Sequence, residues 1–155
     1  DVDAASLTRA RALAPSLAFL RAEAAALPFP DGAFDLVTAT NVLFLLPDPA
    51  AGLRALAGVC RPSGRVAVLN PSPQLSRATA EMHADAVGLT GFERESFVNW
   101  GRIAERERRF SPADLQTLFQ GAGLQPPQIA AKIGPGLALF AQAEPAPNHQ
   151  AKRST

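Results

Sequence analysis

The sequence predicts an α/β domain in which a parallel sheet is covered by helices. Three observations carry that expectation. Helix-forming and β-branched segments alternate as helix, strand, helix, strand over roughly the first 70 residues. Proline, glycine and aspartate mark the joins between them. The 155 residues, 47% hydrophobic and 19% charged, suffice for one domain with one core.

Taken in order, Asp3 is a plausible N-cap for an Ala/Leu/Arg helix over residues 4–14, which Pro15 ends. Leu17-Ala18-Phe19-Leu20 is a short apolar run expected as a buried strand. Leu27-Pro28-Phe29-Pro30-Asp31-Gly32 is turn-rich and excludes helix. Residues 34–40 read as a strand, with β-branched residues inside it. Residues 49–60 read as a helix that accepts Pro49 in its first turn. Pro62-Ser63-Gly64 is a turn before a strand over residues 65–70. Residues 73–109 are mostly helical. Ser111-Pro112-Ala113-Asp114 is a capping box that starts a helix ending at Gly121-Ala122-Gly123. Two closing runs, 124–133 and 137–143, flank a Pro135-Gly136 hairpin turn. From Glu144 onward the chain is polar and reads as a flexible tail, so the domain is expected over residues 1–143.

The formal net charge of +1, with no basic stripe, gives no support to nucleic-acid binding. Arginines at 102, 106, 108 and 109 alternate with Glu105 and Glu107, as on a solvated helix face. Cys60, the only cysteine, excludes an internal disulfide. Its apolar neighbours suggest a buried thiol in a reducing, cytoplasmic setting. No apolar run is long enough to span a membrane, and no metal-ligand cluster is evident. The chain opens on Asp1-Val2-Asp3, with no initiator methionine and no signal-peptide pattern. It is therefore expected to begin after processing, after truncation, or inside a longer gene product.

Pattern alone stops at a Rossmann-like α/β domain, a fold that hosts many functions. Particular residues go further. Glu23-Ala24 precedes Leu27-Pro28-Phe29, and Phe34-Asp35 opens the next strand. Val42-Leu43 leads a short helix, and Asp48-Pro49 opens a long one. Arg61-Pro62-Ser63-Gly64-Arg65 then forms a turn in which Ser63 stands where a glycine is usual. These blocks, with Asp1-Val2-Asp3 and the helix after it, resemble class I S-adenosylmethionine-dependent methyltransferases over about residues 1–70.

The resemblance implies S-adenosylmethionine as cofactor. It implies that Asp1 accepts from the ribose hydroxyls and that Val2 packs on the adenine. Glu23 would accept from the adenine amine while the Ala24 backbone amide meets a ring nitrogen. Asn41 would lie near the methionine portion, with a helix N-cap as its other reading. Leu27, Phe29 and Phe34 are expected to be core and turn packing. For the acceptor, His83, Trp100 (with Phe97) and Arg102 are candidates. Their plainer readings are a surface or cap histidine, core packing, and an ion pair with Glu105 or Glu95.

The family's glycine-rich loop and first two strands have no counterpart here, so the fold is expected to be an incomplete Rossmann-like one. The strand at residues 34–40 should then present an open edge, through which the chain self-associates while binding cofactor poorly. The expected function is methyl transfer to an unidentified small molecule, and the alternative is a non-catalytic, methyltransferase-like partner protein.

Overall fold

A computed structural model describes residues 1–147. Helix α1 (Ala4–Leu13) is followed by β1 (Phe34–Thr40), a 3-10 turn (Leu43–Leu45), α2 (Pro49–Val59) and β2 (Cys60–Pro71). Then come α3 (Arg77–Ala86), α4 (Gly91–Arg106), α5 (Pro112–Gly121), β3 (Gln128–Lys132) and β4 (Ala138–Ala143). The sheet order is β1-β2-β4-β3. β1 and β2 are parallel and joined through α2, whereas β4 runs antiparallel to both β2 and β3. β1 forms one edge of the four-stranded sheet, as expected.

The local signals act as the residue chemistry requires. The Asp3 side chain accepts from Ala5 N and Ser6 N, and that of Asp48 accepts from Ala51 N. Ser111 and Asp114 form the anticipated capping box, and Ser76 and Thr79 form a second one at α3. Helix α2 buries Leu53, Leu56 and Ala57 against the sheet, where they join Val37, Val66 and Val68 in the core. No helix among the described residues is long and apolar enough to cross a membrane.

Three expectations change. Leu17-Ala18-Phe19-Leu20 is not a regular strand, and Leu17 and Leu20 are exposed. What remains is a short parallel-type pairing, in which the Asp1 nitrogen donates to Leu20 O at 3.4 Å and Ala22 N donates to Asp1 O at 3.1 Å. Only two backbone–backbone bonds join the segments among the described residues, too few to define a strand. Second, β2 begins at Cys60, before the predicted Pro62-Ser63-Gly64 turn. The ladder with β1 passes through that segment as an irregularity between the pairs Phe34–Cys60 and Leu36–Arg65. Gly64 is required there, because a Cβ would fall 2.6 Å from Asp35 O and 2.8 Å from Cys60 Sγ. Ser63 is exposed, which explains why the other glycine of the turn is dispensable. Third, the chain just beyond residue 143 is not a free tail. Gln125 N donates to Glu144 O, Ala146 N donates to Gly123 O, and Arg65 pairs with Glu144 at 3.1 Å. Residues 148–155, which include His149, lie outside the described residues.

Helices α3 and α4 follow the carboxyl end of β2 and pack against each other as a hairpin. At its base, Phe110 N donates to Pro71 O, and Arg109 Nη1 donates to Leu75 O at 3.0 Å. Gly101 on α4 lies against the start of α3, where a Cβ would fall 2.5 Å from the Ser76 carbonyl oxygen.

Candidate functional site

A cavity of about 650 Å³ opens at the carboxyl end of β1, where ligands bind in open α/β sheets. Asp1, Val2, Glu23, Ala24 and Asn41 all line it. Five residues spread over the first quarter of the chain thus converge on one space, and its volume lies within the ordinary range for small-molecule sites.

Each is placed by local structure. Asp1 Oδ1 accepts from Asp3 N at 2.9 Å, so one carboxylate oxygen is tied to the chain entering α1. Val2 is about half exposed, and its carbonyl accepts from Arg21 Nε. Glu23 and Ala24 sit in a tight turn closed by Ala26 N donating to Glu23 O at 3.1 Å. The Glu23 side chain is exposed. Asn41 continues the β1–β2 ladder through its N–H to Leu69 O at 2.8 Å, then turns the chain with φ +55°. A non-glycine residue in the left-handed region costs energy and is enriched at functional sites.

Asn41 does not cap the following turn, since that turn starts at Val42 without a side-chain cap. Its Oδ1 is buried and has no partner. The remaining wall is apolar. Leu27 and Phe29, expected as packing alone, also line the cavity, together with Val42, Leu45 and Leu46. Phe29 meets Phe34 edge-on at 4.9 Å, which braces that side. The two carboxylates and one carboxamide on this apolar wall offer acceptors to hydroxyl and amine donors.

The acceptor candidates do not join this cavity's wall. His83 is half-buried on α3, 5.6 Å from the Phe97 ring, and Phe97 lies 5.7 Å from Trp100. The Gly134 backbone abuts the His83 ring closely enough to exclude a Cβ, and His83 lies in the last turn of α3. Trp100 packs on the core with its Nε1 buried and unpartnered. Arg102 lies about 200° around α4 from Trp100. It is exposed and makes no ion pair among the described residues. It pairs with neither Glu105 nor Glu95, and Glu105 accepts from Arg77 N.

Sequence reasoning missed Asn70. It is the penultimate residue of β2, is fully buried, and its Oδ1 accepts from Phe44 N at 3.3 Å. Its Nδ2 has no partner. A polar residue ending the apolar run from Val66 was the available signal. Cys60 is buried, and burial pushes its thiol up, as for an inert structural cysteine. Among the described residues no group of three or more His, Cys, Asp or Glu side chains is arranged to hold a metal.

Residues 1–68 match the model of a family described as a methyltransferase domain. A ubiquinone/menaquinone biosynthesis C-methyltransferase of Shewanella frigidimarina is 33% identical over 79 residues, covering 49% of this chain and 32% of the relative. The 27-O-demethylrifamycin SV methyltransferase of Amycolatopsis mediterranei is 42% identical over 112 residues, covering 70% of this chain and 35% of the relative. The chain thus spans about a third of the length of these two relatives. A crystal structure of an S-adenosylmethionine-dependent methyltransferase from Aquifex aeolicus superposes with a TM-score of 0.63 at 16% identity, covering 92% of this chain and 65% of that one.

Proposed function

We propose that this chain, whose residues 1–68 match a methyltransferase domain and whose fold is that of the class I S-adenosylmethionine-dependent enzymes, serves methyl transfer from S-adenosylmethionine to a small molecule. The observation that carries the reading is the convergence of Asp1, Val2, Glu23, Ala24 and Asn41 on one cavity. The donor set fits the cofactor. Two acceptor-only carboxylates suit ribose hydroxyls and an exocyclic amine. The buried, unpartnered Asn41 Oδ1 suits a further N–H or O–H donor.

When bound, S-adenosylmethionine supplies a methyl group on a positively charged sulfur. The chain's own task is to hold and orient. Asp1 takes the ribose and Val2 an adenine face. Glu23 and the Ala24 amide take the adenine edge. Asn41 orients the methionine end, and Leu45 and Leu46 exclude water. Proximity and desolvation of this kind account for most of the rate in a displacement that needs no covalent help from the protein.

A second reading is a non-catalytic methyltransferase-like partner. It is favoured by the unpaired edge of β1, on which Leu36 is 59% exposed. Self-association through that edge is the expected behaviour, because unpaired strand edges template further pairing. A reducing, cytoplasmic setting suits the free, buried Cys60.

Calorimetry with S-adenosylhomocysteine tests the primary reading. Saturable binding is expected, weakened about tenfold by Glu23→Gln, the loss of one charge-assisted hydrogen bond of about 1.5 kcal/mol. The exposed position of Glu23 leaves folding unaffected. If no heat is released, the partner reading replaces the enzymatic one.

A further inference from the structure

Helix α4 carries a second pattern on the side it turns away from the domain. Val98, Gly101 and Ala104 are its buried residues. On the opposite side Phe92, Asn99 and Arg106 follow at seven-residue intervals, and Glu95 and Arg102 stand three residues after the first two of them. At about 3.6 residues per turn, all five fall along one stripe. Their spacing is that of the contact seam in a two-stranded coiled coil. All five are exposed, Phe92 by 83%.

The charges on this stripe are ordered. Its acid, Glu95, lies toward the start of α4, Asn99 lies near the middle, and its bases, Arg102 and Arg106, lie toward the end. None of these four makes an ion pair or side-chain hydrogen bond among the described residues. Toward α3, by contrast, the charges of the same helix are engaged. Arg94 bonds to Asp85 at 2.9 Å, and Glu105 accepts from Arg77 N at 3.1 Å.

We propose that this stripe is an interaction surface for a second copy of the chain, whose own α4 packs on it antiparallel about a two-fold axis at Asn99. With position 99 at the centre, 92 meets 106 and 95 meets 102 and 103. Glu95 of each protomer then stands opposite Arg102 of the other. Phe92 receives the Arg106 guanidinium on its ring. The two Asn99 amides, each both donor and acceptor, bond to one another. A parallel pair would set Glu95 against Glu95 and Arg102 against Arg102, and like charges across an interface repel. The charge order therefore selects the antiparallel arrangement, which the helix dipoles also favour. A single helix of 16 residues, about 24 Å long, offers less than the roughly 800 Å² per partner of a stable complex. The pairing is thus transient, and separate from association through the edge of β1.

Disulfide trapping tests it, with Asn99→Cys placing a thiol at the two-fold axis. Leu36→Lys is present throughout to remove pairing through β1. The native Cys60 is buried and does not compete. Ala86→Cys, exposed on α3 and off the stripe, gives the rate of chance collision. Under glutathione disulfide, Asn99→Cys is expected to form covalent dimer about tenfold faster than Ala86→Cys, and to lose that advantage in about 1 M salt, where the Debye length is about 3 Å. Adding Glu95→Arg or Arg102→Glu should bring the rate down to that of Ala86→Cys. An equal mixture of these two variants should restore it, because each supplies the charge the other lacks. All substituted positions are exposed, and circular dichroism checks that each variant is folded. The proposal is overturned if Asn99→Cys crosslinks no faster than Ala86→Cys, if either charge reversal leaves its rate unchanged, or if the mixture fails to recover it.

Discussion

Gly101→Ala should destabilise the protein although alanine is the better helix former. A Cβ at Gly101 would lie 2.5 Å from the Ser76 carbonyl oxygen, about 0.9 Å inside the 3.4 Å at which ordinary contact begins, and 2.9 Å from the Ser76 carbonyl carbon. Neither atom is the end of a flexible side chain. The Ser76 carbonyl accepts the first helical bond of α3 from Ala80 N at 3.0 Å, and the Ser76 hydroxyl caps the same helix. Relief therefore requires α3 and α4 to separate. Overpacking of this kind costs about 1–3 kcal/mol, and the helix-propensity gain offsets about 1 kcal/mol of it. A net loss of about 1 kcal/mol follows. Gly121→Ala is the internal control, because nothing lies within 4 Å of its Cβ position at the end of α5. It should be neutral or stabilising by a few tenths of a kcal/mol, on the same propensity argument. Urea unfolding followed by circular dichroism at 222 nm compares the two. If Gly101→Ala is as stable as Gly121→Ala, the helices are not in contact at this glycine and the argument is refuted.

Ser111→Ala should cost about 1 kcal/mol at neutral pH, the usual worth of an N-cap. The Ser111 hydroxyl, followed by its backbone N–H, holds the Asp114 carboxyl below its ordinary range. That contribution is present above the unfolded carboxyl pKa of about 3.9 and is lost as pH falls through the lower folded value. In urea melts the gap between wild type and variant should therefore narrow below about pH 4, while the bond from Asp114 N to the Ser111 hydroxyl keeps part of it, and a gap that stays constant would contradict the assignment. Leu36→Lys should suppress association through β1, because an edge lysine blocks strand pairing. Sedimentation velocity should show mass rising with concentration in wild type and not in the variant, and a wild type that stays monomeric would remove the edge argument.

The elements legible in the sequence are those whose information is local. The Asp3 and Asp48 caps, the Ser111 capping box and the Pro135-Gly136 turn each act within a few residues, and each lies where expected. The run from Leu17 to Leu20 misled because apolar character suggests burial, whereas burial depends on partners distant in sequence. Here the partner is a two-bond pairing with Asp1. The candidate cavity was legible from Asp1 to Phe29 because turn residues and acids recur in a recognisable order. Asn70 was not, since its meaning arises only when β2 is laid beside β1 and Phe44 is brought to it across 26 residues. The grouping of His83 with Phe97 is likewise a product of the α3–α4 hairpin and not of any spacing within either helix.

The bonds at the foot of that hairpin have a consequence for how such a domain changes over time. Chain entry after Pro71 and chain exit at Phe110 are clasped to each other, backbone to backbone and through Arg109. Everything between them leaves and returns through one doorway. Lengthening or shortening an already long loop changes its closure free energy only by tenths of a kcal/mol. Such a pair of helices can be exchanged for a longer, shorter or differently faced pair while the clasp and the strands beneath it stay as they are. The surface above the doorway can then be rewritten while the residues that line the cavity at the end of β1 remain untouched.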